Sequence, residues 1–233
     1  YGFRPGRSCH DAIKQALEYL NEGYEWVIDI DIEQFFDKVN HDKLIQILRE
    51  QVNDSTTLHL IRKYLKAGAM EKGLEKATIS GVPQGGPLSV VLSNVYLDKL
   101  DKELEQRGLR FTRYADDTMV FTKSEKAANR VMKSITEWIE RKLFLKVNVT
   151  KTKVVRPTRS KYLGFTFLKH GGEWKVKPTT EKKKKLKQKL SEYLKRNKAI
   201  ARPLAETIKR VNEIARGWIN YFRIGMMKQL EHG

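Results

Sequence analysis

The stretch Tyr114-Ala115-Asp116-Asp117 constrains the fold more than any other, because two adjacent carboxylates sit between two apolar runs, Leu109 to Arg113 and Thr118 to Phe121. Short strands on either side of a tight turn would hold both acids at an exposed bend. Carboxylates forced together attract divalent cations. Magnesium, which takes hard oxygen ligands and shares them with substrate phosphates, suits such a site. An ordinary acidic hairpin turn would use the same residues, since Asp bonds its own backbone in turns.

Further segments bear on that choice. Trp26 to Ile32 alternates apolar and acidic residues, the period of a strand, which puts Asp29 and Asp31 on one face and Ile28, Ile30 and Ile32 on the other. Periodicity alone does not say which acid is a ligand, and a solvated strand face stays open for Asp29. Two acids on a half-buried sheet need a counter-charge, and a cation shared with Asp116 and Asp117 would be one. Ser80-Gly81-Val82-Pro83-Gln84-Gly85-Gly86-Pro87-Leu88-Ser89 is a glycine- and proline-rich loop leading into the helix-like stretch from Val90 to Leu104. Its glycines permit close approach of a ligand, and the free amides of a first helical turn favour phosphate. Ser89 reads as an N-cap, and a plain turn is the alternative for the loop.

Taken in order, these segments resemble a reverse transcriptase of the group II intron-encoded kind that also serves as an RNA maturase. Tyr1 to Ser8 resembles the block before the first palm strand, Asp31 to Asp37 the strand with the first catalytic aspartate, and Gly81 to Ser89 the nucleotide-contacting loop. Tyr114 to Asp117 resembles the catalytic turn, Leu145 to Thr152 the segment after the palm helix, Tyr162 to Phe165 the primer grip, and Arg216 to Phe222 the thumb or maturase domain. The resemblance implies an α+β fold: a right-hand polymerase palm with an antiparallel sheet packed on helices, then a helical thumb-like segment. It implies Asp31, Asp116 and Asp117 as catalytic residues binding two magnesium ions, with the backbone carbonyl of Ile32 as a further ligand. It also implies Phe36, Gln84, Gly85 and Lys151 at the nucleotide, and Tyr114 and Gly164 at primer and template. The Phe36 ring would lie where a ribose 2′-hydroxyl falls and so favour deoxynucleotides, although Phe35 and Phe36 as plain core residues would leave the sugar undetermined.

Composition agrees with a nucleic-acid partner, with 46 Lys and Arg against 28 Asp and Glu and a formal charge of +18. The charge is concentrated: residues 181 to 200 hold nine Lys or Arg against two Glu, a net of +7. Within that run Leu186, Leu190 and Leu194 recur every four residues, one packed helical face, while Lys182, Lys183, Lys184, Lys185, Lys187 and Lys189 would meet RNA phosphates. Leu204, Ile208, Val211, Ala215, Trp218 and Phe222 mark a second amphipathic helix, and Ala128, Val131, Met132, Ile135 and Ile139 mark one that would cover the palm sheet. Gly171-Gly172 and Pro178 punctuate the chain, so the expected domains are a palm with residual fingers over 1–177 and a helical thumb, the start of a maturase domain, over 178–233.

The single Cys9 allows neither an internal disulfide nor a zinc cluster, and fits a reducing interior. His41 is expected to pack or cap near the helix that starts there. No stretch reads as a membrane span or signal peptide. The expected partners are therefore group II intron RNA, an RNA template, a DNA primer and dNTPs, with no membrane and with a homodimer left open. The setting would be ribonucleoprotein in the cytoplasm or an organellar interior. Relative to the family the start reads as lacking the N-terminal fingers and the end as stopping early in the maturase domain, with no endonuclease extension. A non-catalytic RNA-binding maturase module is the alternative function.

Overall fold

The computed structural model describes residues 1–67, 70–71, 74–75, 80–83, 86–195, 200 and 203–226. By packing the chain divides into Tyr1–Arg156 and Pro157–Gly233. The first unit runs α1 (Cys9–Asn21), β1 (Trp26–Ile30), α2 (Phe35–Lys38), α3 (His41–Arg49), α4 (Ser55–Ala67), β2 (Met70–Glu71) and β3 (Leu74–Glu75). It continues with α5 (Pro87–Gln106), β4 (Arg110–Tyr114), β5 (Asp117–Thr122), α6 (Glu125–Leu143) and β6 (Lys153–Val155). Its main sheet has the order β4-β5-β1-β6, and every neighbouring pair is antiparallel, as expected of a palm.

Local signals start the helices where the chemistry favours it. Ser8 caps α1 in a reciprocal box with Asp11. Ser124 accepts from the amide of Ala127 to open α6, whose charges follow the helix dipole, with Glu125 in the first turn and Arg141 and Lys142 in the last. Along α6, Ala128, Ile135 and Ile139 are fully buried and Val131 and Met132 pack against them, so the expected inward face is the observed one. Gly86 and Pro87, rather than Ser89, open α5. Ser89 lies inside the first turn, buried, with its hydroxyl 3.0 Å from that of Tyr64.

Register determines which residues share each face of the sheet. In β1 and β5, Ile28 faces Val120 and Ile30 faces Thr118, while Asp29 faces Met119. Opposed residues share a face, so Ile28, Ile30 and Val120 point together into the main core with α5 and α6 residues such as Leu97 and Ile135. The opposite face carries Val27, Met119 and Phe121, all buried, and Tyr19 of α1 lies against Phe121 with ring centroids 5.6 Å apart.

The second unit holds β7 (Lys161–Tyr162), β8 (Phe165–His170) and β9 (Glu173–Pro178) as an antiparallel three-stranded sheet, then α7 (Thr180–Leu194) and α8 (Leu204–Phe222). Gly171 and Gly172 form the tight turn of the β8–β9 hairpin, both at positive φ, so this packing unit begins upstream of residue 178. The two helices pack on each other, yet no residue of α7 is fully buried. The expected stripe on α8 is only partly inward: Leu204 is 73 % and Ile208 50 % exposed, whereas Thr207 and Phe222 are buried. Apolar contact concentrates at the C-terminal end of α8, where Phe165 meets the rings of Phe222 at 4.9 Å and Tyr221 at 5.8 Å. Among the described residues no helix is long and apolar enough to cross a membrane.

Leu97 of α5 lies wholly buried in the main core. Replacing it with Ala should lower unfolding stability by about 2–5 kcal/mol in denaturant titrations, through the transfer energy forgone and the cavity left behind.

Candidate active site

The β1–β5 register, carried one residue past the Ile30–Thr118 pair, sets Asp31 beside Asp117. Asp117 in turn pairs with Tyr114 across the β4–β5 hairpin, leaving Ala115 and Asp116 as its two loop residues. Parity then puts Asp29, Asp31, Asp117 and Tyr114 on one face at one end of the sheet. Of the two loop residues only Ala115 is left-handed, with φ +56°, the pattern of a II′ turn whose first central position normally belongs to glycine.

Like charge dominates this end of the sheet. The Asp117 carboxyl is pushed up to about 7, first by burial and then by the nearby charges of Asp29, Asp116 and Asp31. Asp117 nevertheless keeps an exposed surface, so solvent reaches the carboxylate group. Among the described residues Lys151 meets Asp31 with its Nζ at 3.6 Å, and the Asp31 amide donates to Thr152 Oγ1 at 3.1 Å. Lys153 stands opposite Asp29 in the β1–β6 register.

The backbone next to Asp31 supplies a further oxygen. Ile32 bridges Val147 in antiparallel fashion, with the flanking bonds Glu33 N to Lys146 O and Asn148 N to Asp31 O, both 2.8 Å. That is the non-hydrogen-bonded type of pair, in which the carbonyl of Ile32 turns away from Val147. Among the described residues no three acidic, histidine or cysteine groups already enclose a point where an ion could sit. The donors are nevertheless all hard oxygens converging under mutual repulsion, and that chemistry fits a divalent cation of the magnesium type.

Other residues expected at the site fall around it unevenly. Phe36 is half-buried on α2, its ring edge-on to the buried Phe35 at 5.3 Å. The start of the glycine loop is tied to this helix: Val82 N donates to Phe36 O at 2.7 Å, and Gly81 N to Val39 O at 2.8 Å. Gly81 has φ +94°, and a Cβ there would stand 2.9 Å from Phe36 O. His41 is buried and donates from Nε2 to Gly81 O at 2.6 Å, so it packs as expected. Gln84 and Gly85 lie outside the described residues.

Gly164 belongs to the second unit, where Leu163 and Gly164 form the positive-φ turn between β7 and β8. Tyr221 donates to Leu163 O at 2.8 Å, and a Cβ on Gly164 would meet Lys182 Cε at 3.1 Å. On α7, Lys182, Lys184, Lys185, Lys187 and Lys189 are exposed and Lys183 is half-buried.

Two features escaped the reading of the sequence. Asp29 joins the carboxylate group electrostatically, which alternation leaves undecided. Arg113, with Asp101 and Asn94 of α5, lies beneath the turn; the available signal was an arginine in a strand position of the same parity as the core residue Phe111.

Known proteins resemble this chain along most of its length. A family model described as reverse transcriptase (RNA-dependent DNA polymerase) matches residues 1–167, and one described as group II intron, maturase-specific domain, matches residues 183–232. Protein YkfC of Escherichia coli is 32 % identical over 208 residues, covering 73 % of this chain and 54 % of that protein. The group II intron-encoded protein LtrA of Lactococcus lactis is 42 % identical over 113 residues, 48 % of this chain and 19 % of that protein. The chain thus spans about half the length of the first relative and a fifth of the second. Among solved structures, the telomerase of Candida albicans, in complex with a fragment of telomeric RNA, covers 92 % of this chain and 43 % of its own at a TM-score of 0.56 and 14 % identity, a likeness of fold.

The raised Asp117 carboxyl makes stability depend on pH in a definite sense. A carboxyl whose folded pKa exceeds its unfolded value favours the fold fully below the ordinary carboxylate range, and that contribution disappears as pH rises through about 7. In metal-free buffer Asp117→Asn should therefore match the parent near pH 4 and melt higher above pH 7.5, by no more than about 2–4 °C because solvent screens the site. Scanning calorimetry across that range checks it.

Proposed function

The chain belongs to the reverse transcriptase (RNA-dependent DNA polymerase) family, in its group II intron-encoded branch, and we propose that it is the polymerase core of an intron-encoded protein that also binds intron RNA to assist splicing and retrohoming. The observation that carries this reading is the gathering of Asp31, Asp116 and Asp117 at one end of an antiparallel sheet, close enough to raise the proton affinity of Asp117. The functional boundary falls near residue 178, with the palm over 1–177 and the helical thumb beyond.

Asp31, Asp116 and Asp117, with the Ile32 carbonyl, would hold two magnesium ions, which would supply Lewis-acid activation of a primer 3′-hydroxyl and charge neutralisation at the leaving pyrophosphate. The chain's own part is orientation and exclusion. Lys151, paired with Asp31 at the edge of the carboxylate group, would meet the triphosphate of the incoming nucleotide. Gln84 and Gly85 contact the incoming nucleotide, and the Phe36 ring closes the space a 2′-hydroxyl would need. Tyr114 and Gly164 bear on primer and template. The lysines of α7, Lys182 to Lys189, bind the RNA backbone by charge rather than by sequence. Partners are an RNA template, the intron RNA, a DNA primer and dNTPs; the setting is a ribonucleoprotein inside the cell or organelle.

Primer extension on an RNA template with magnesium tests the reading. The parent should extend with deoxynucleotides, and an Asp116→Ala, Asp117→Ala variant should fall about 10³-fold or more in rate while still binding structured RNA. Synthesis surviving without both carboxylates overturns it, and RNA binding with no synthesis by the parent favours the non-catalytic maturase module. Phe36→Ala should raise ribonucleotide incorporation by about tenfold or more. Replacing the α7 lysines with Gln should flatten the dependence of RNA affinity on salt, by roughly 0.7–0.9 in log–log slope for each phosphate that the helix no longer neutralises, measured by filter binding at several salt concentrations.

A further inference from the structure

We propose that Arg113 and Asp101 are positioning residues that hold the carboxylate turn in its left-handed form; the inference rests on the reading of Asp116 and Asp117 as cation ligands. The starting point is Ala115, whose φ of +56° is disfavoured for any residue with a Cβ. Left to its own preference, a two-residue loop with Ala at this position would relax toward negative φ. Asp116 and Asp117 would swing with it. Something must hold the turn.

Arg113 is placed to do so. Its side chain is only 3 % exposed, and its Nη1 donates to the carbonyl of Ala115 at 2.7 Å. The same nitrogen reaches Asn94 Oδ1 at 3.2 Å, and Nε and Nη2 grip the two oxygens of Asp101 at 2.6 and 2.5 Å. Asn94 and Asp101 lie two helical turns apart on one face of α5, so a single rigid element presents both acceptors. Asn94 also donates from Nδ2 to Gly2 O at 3.0 Å, and Gly2 lies so close to the turn that a Cβ on it would stand 2.6 Å from Ala115 N.

Two consequences follow from the chemistry of the guanidinium. A planar fork with several fixed donors satisfies a bidentate carboxylate and a carbonyl at once, which an ammonium on a flexible stem does not. With its charge answered by Asp101, Arg113 meets the turn through a neutral carbonyl, and the carboxylates of Asp116 and Asp117 stay available to cations. The turn is therefore anchored to α5 through a neutralised pair beneath it.

The test uses Arg113→Lys and, in case that variant fails to fold, Asp101→Asn, which keeps the volume and one acceptor oxygen. The first readout is the backbone of Ala115, followed by the HN–Hα coupling and ¹³C shifts of isotope-labelled alanine in the metal-free chain. The second is Mn²⁺ affinity by electron paramagnetic resonance titration. In folded variants the Ala115 signal should leave the positive-φ range and Mn²⁺ affinity should fall about tenfold or more. Adding Ala115→Gly, which adopts positive φ without strain, should restore at least half of that decrease in logarithmic terms. A buried ion pair that served stability alone would show no such rescue. An unchanged Ala115 coupling with Mn²⁺ affinity within twofold of the parent, in either folded variant, overturns the proposal. If the parent binds no Mn²⁺, the metal reading fails by itself, and the Ala115 coupling still decides the positioning role.

Discussion

Mutual repulsion among carboxylates at one end of a four-stranded sheet is the constraint to which the rest of the first unit answers. Asp29, Asp31, Asp116 and Asp117 are brought there by pairing, not by local sequence, because β1 lies between β5 and β6. The isoleucines and valines on the far face, packed on α5 and α6, provide the burial that keeps such a sheet intact despite the charge. Lys151 and Lys153 temper the charge from β6 and the turn before it. Holding Asp117 among like charges costs the fold stability as that carboxyl ionises.

Both turns with assigned roles use a non-glycine residue at positive φ, Ala115 in the first unit and Leu163 in the second. In each case the carbonyl of the strained residue accepts a hydrogen bond from a side chain, that of Arg113 or of Tyr221. Strain of this kind persists only where surrounding structure over-determines it. The two units thus share one solution: a short hairpin whose shape is dictated by a distant element rather than by its own residues.

Much of this was legible in the residues. The alternation from Trp26 to Ile32 read correctly as a strand with its acids on one face, because Ile28 and Ile30 are packed in the main core on the other, although Val27, Met119 and Phe121 are buried on the acids' own face as well. The hydrophobic spacing of α6 named its buried face for the same reason. The stripe on α8 was misread because periodicity reports that a face is apolar, not what covers it, and the cover is limited to the aromatic end near Phe165. Ser89 was misread because Pro87 takes the first helical position, where its fixed φ and missing N–H suit a helix start. Arg113 went unnoticed because its partners Asn94 and Asp101 become neighbours only after α5 docks on β4.

The pairing of β1 has a consequence for how the chain is made. Trp26–Ile30 is one of the two inner strands, yet both of its partners, Asp117–Thr122 and Lys153–Val155, leave the ribosome long after it does. Until then the strand has no hydrogen-bonding neighbour, and its apolar residues stay open to collapse or to another chain. Non-local pairing of this kind is slow to form. The early helices α1, α3 and α4 must therefore stand as a local scaffold while roughly the next hundred residues are synthesised, and Asp29 within β1, with Asp31 just past its end, helps to keep the strand soluble in that interval.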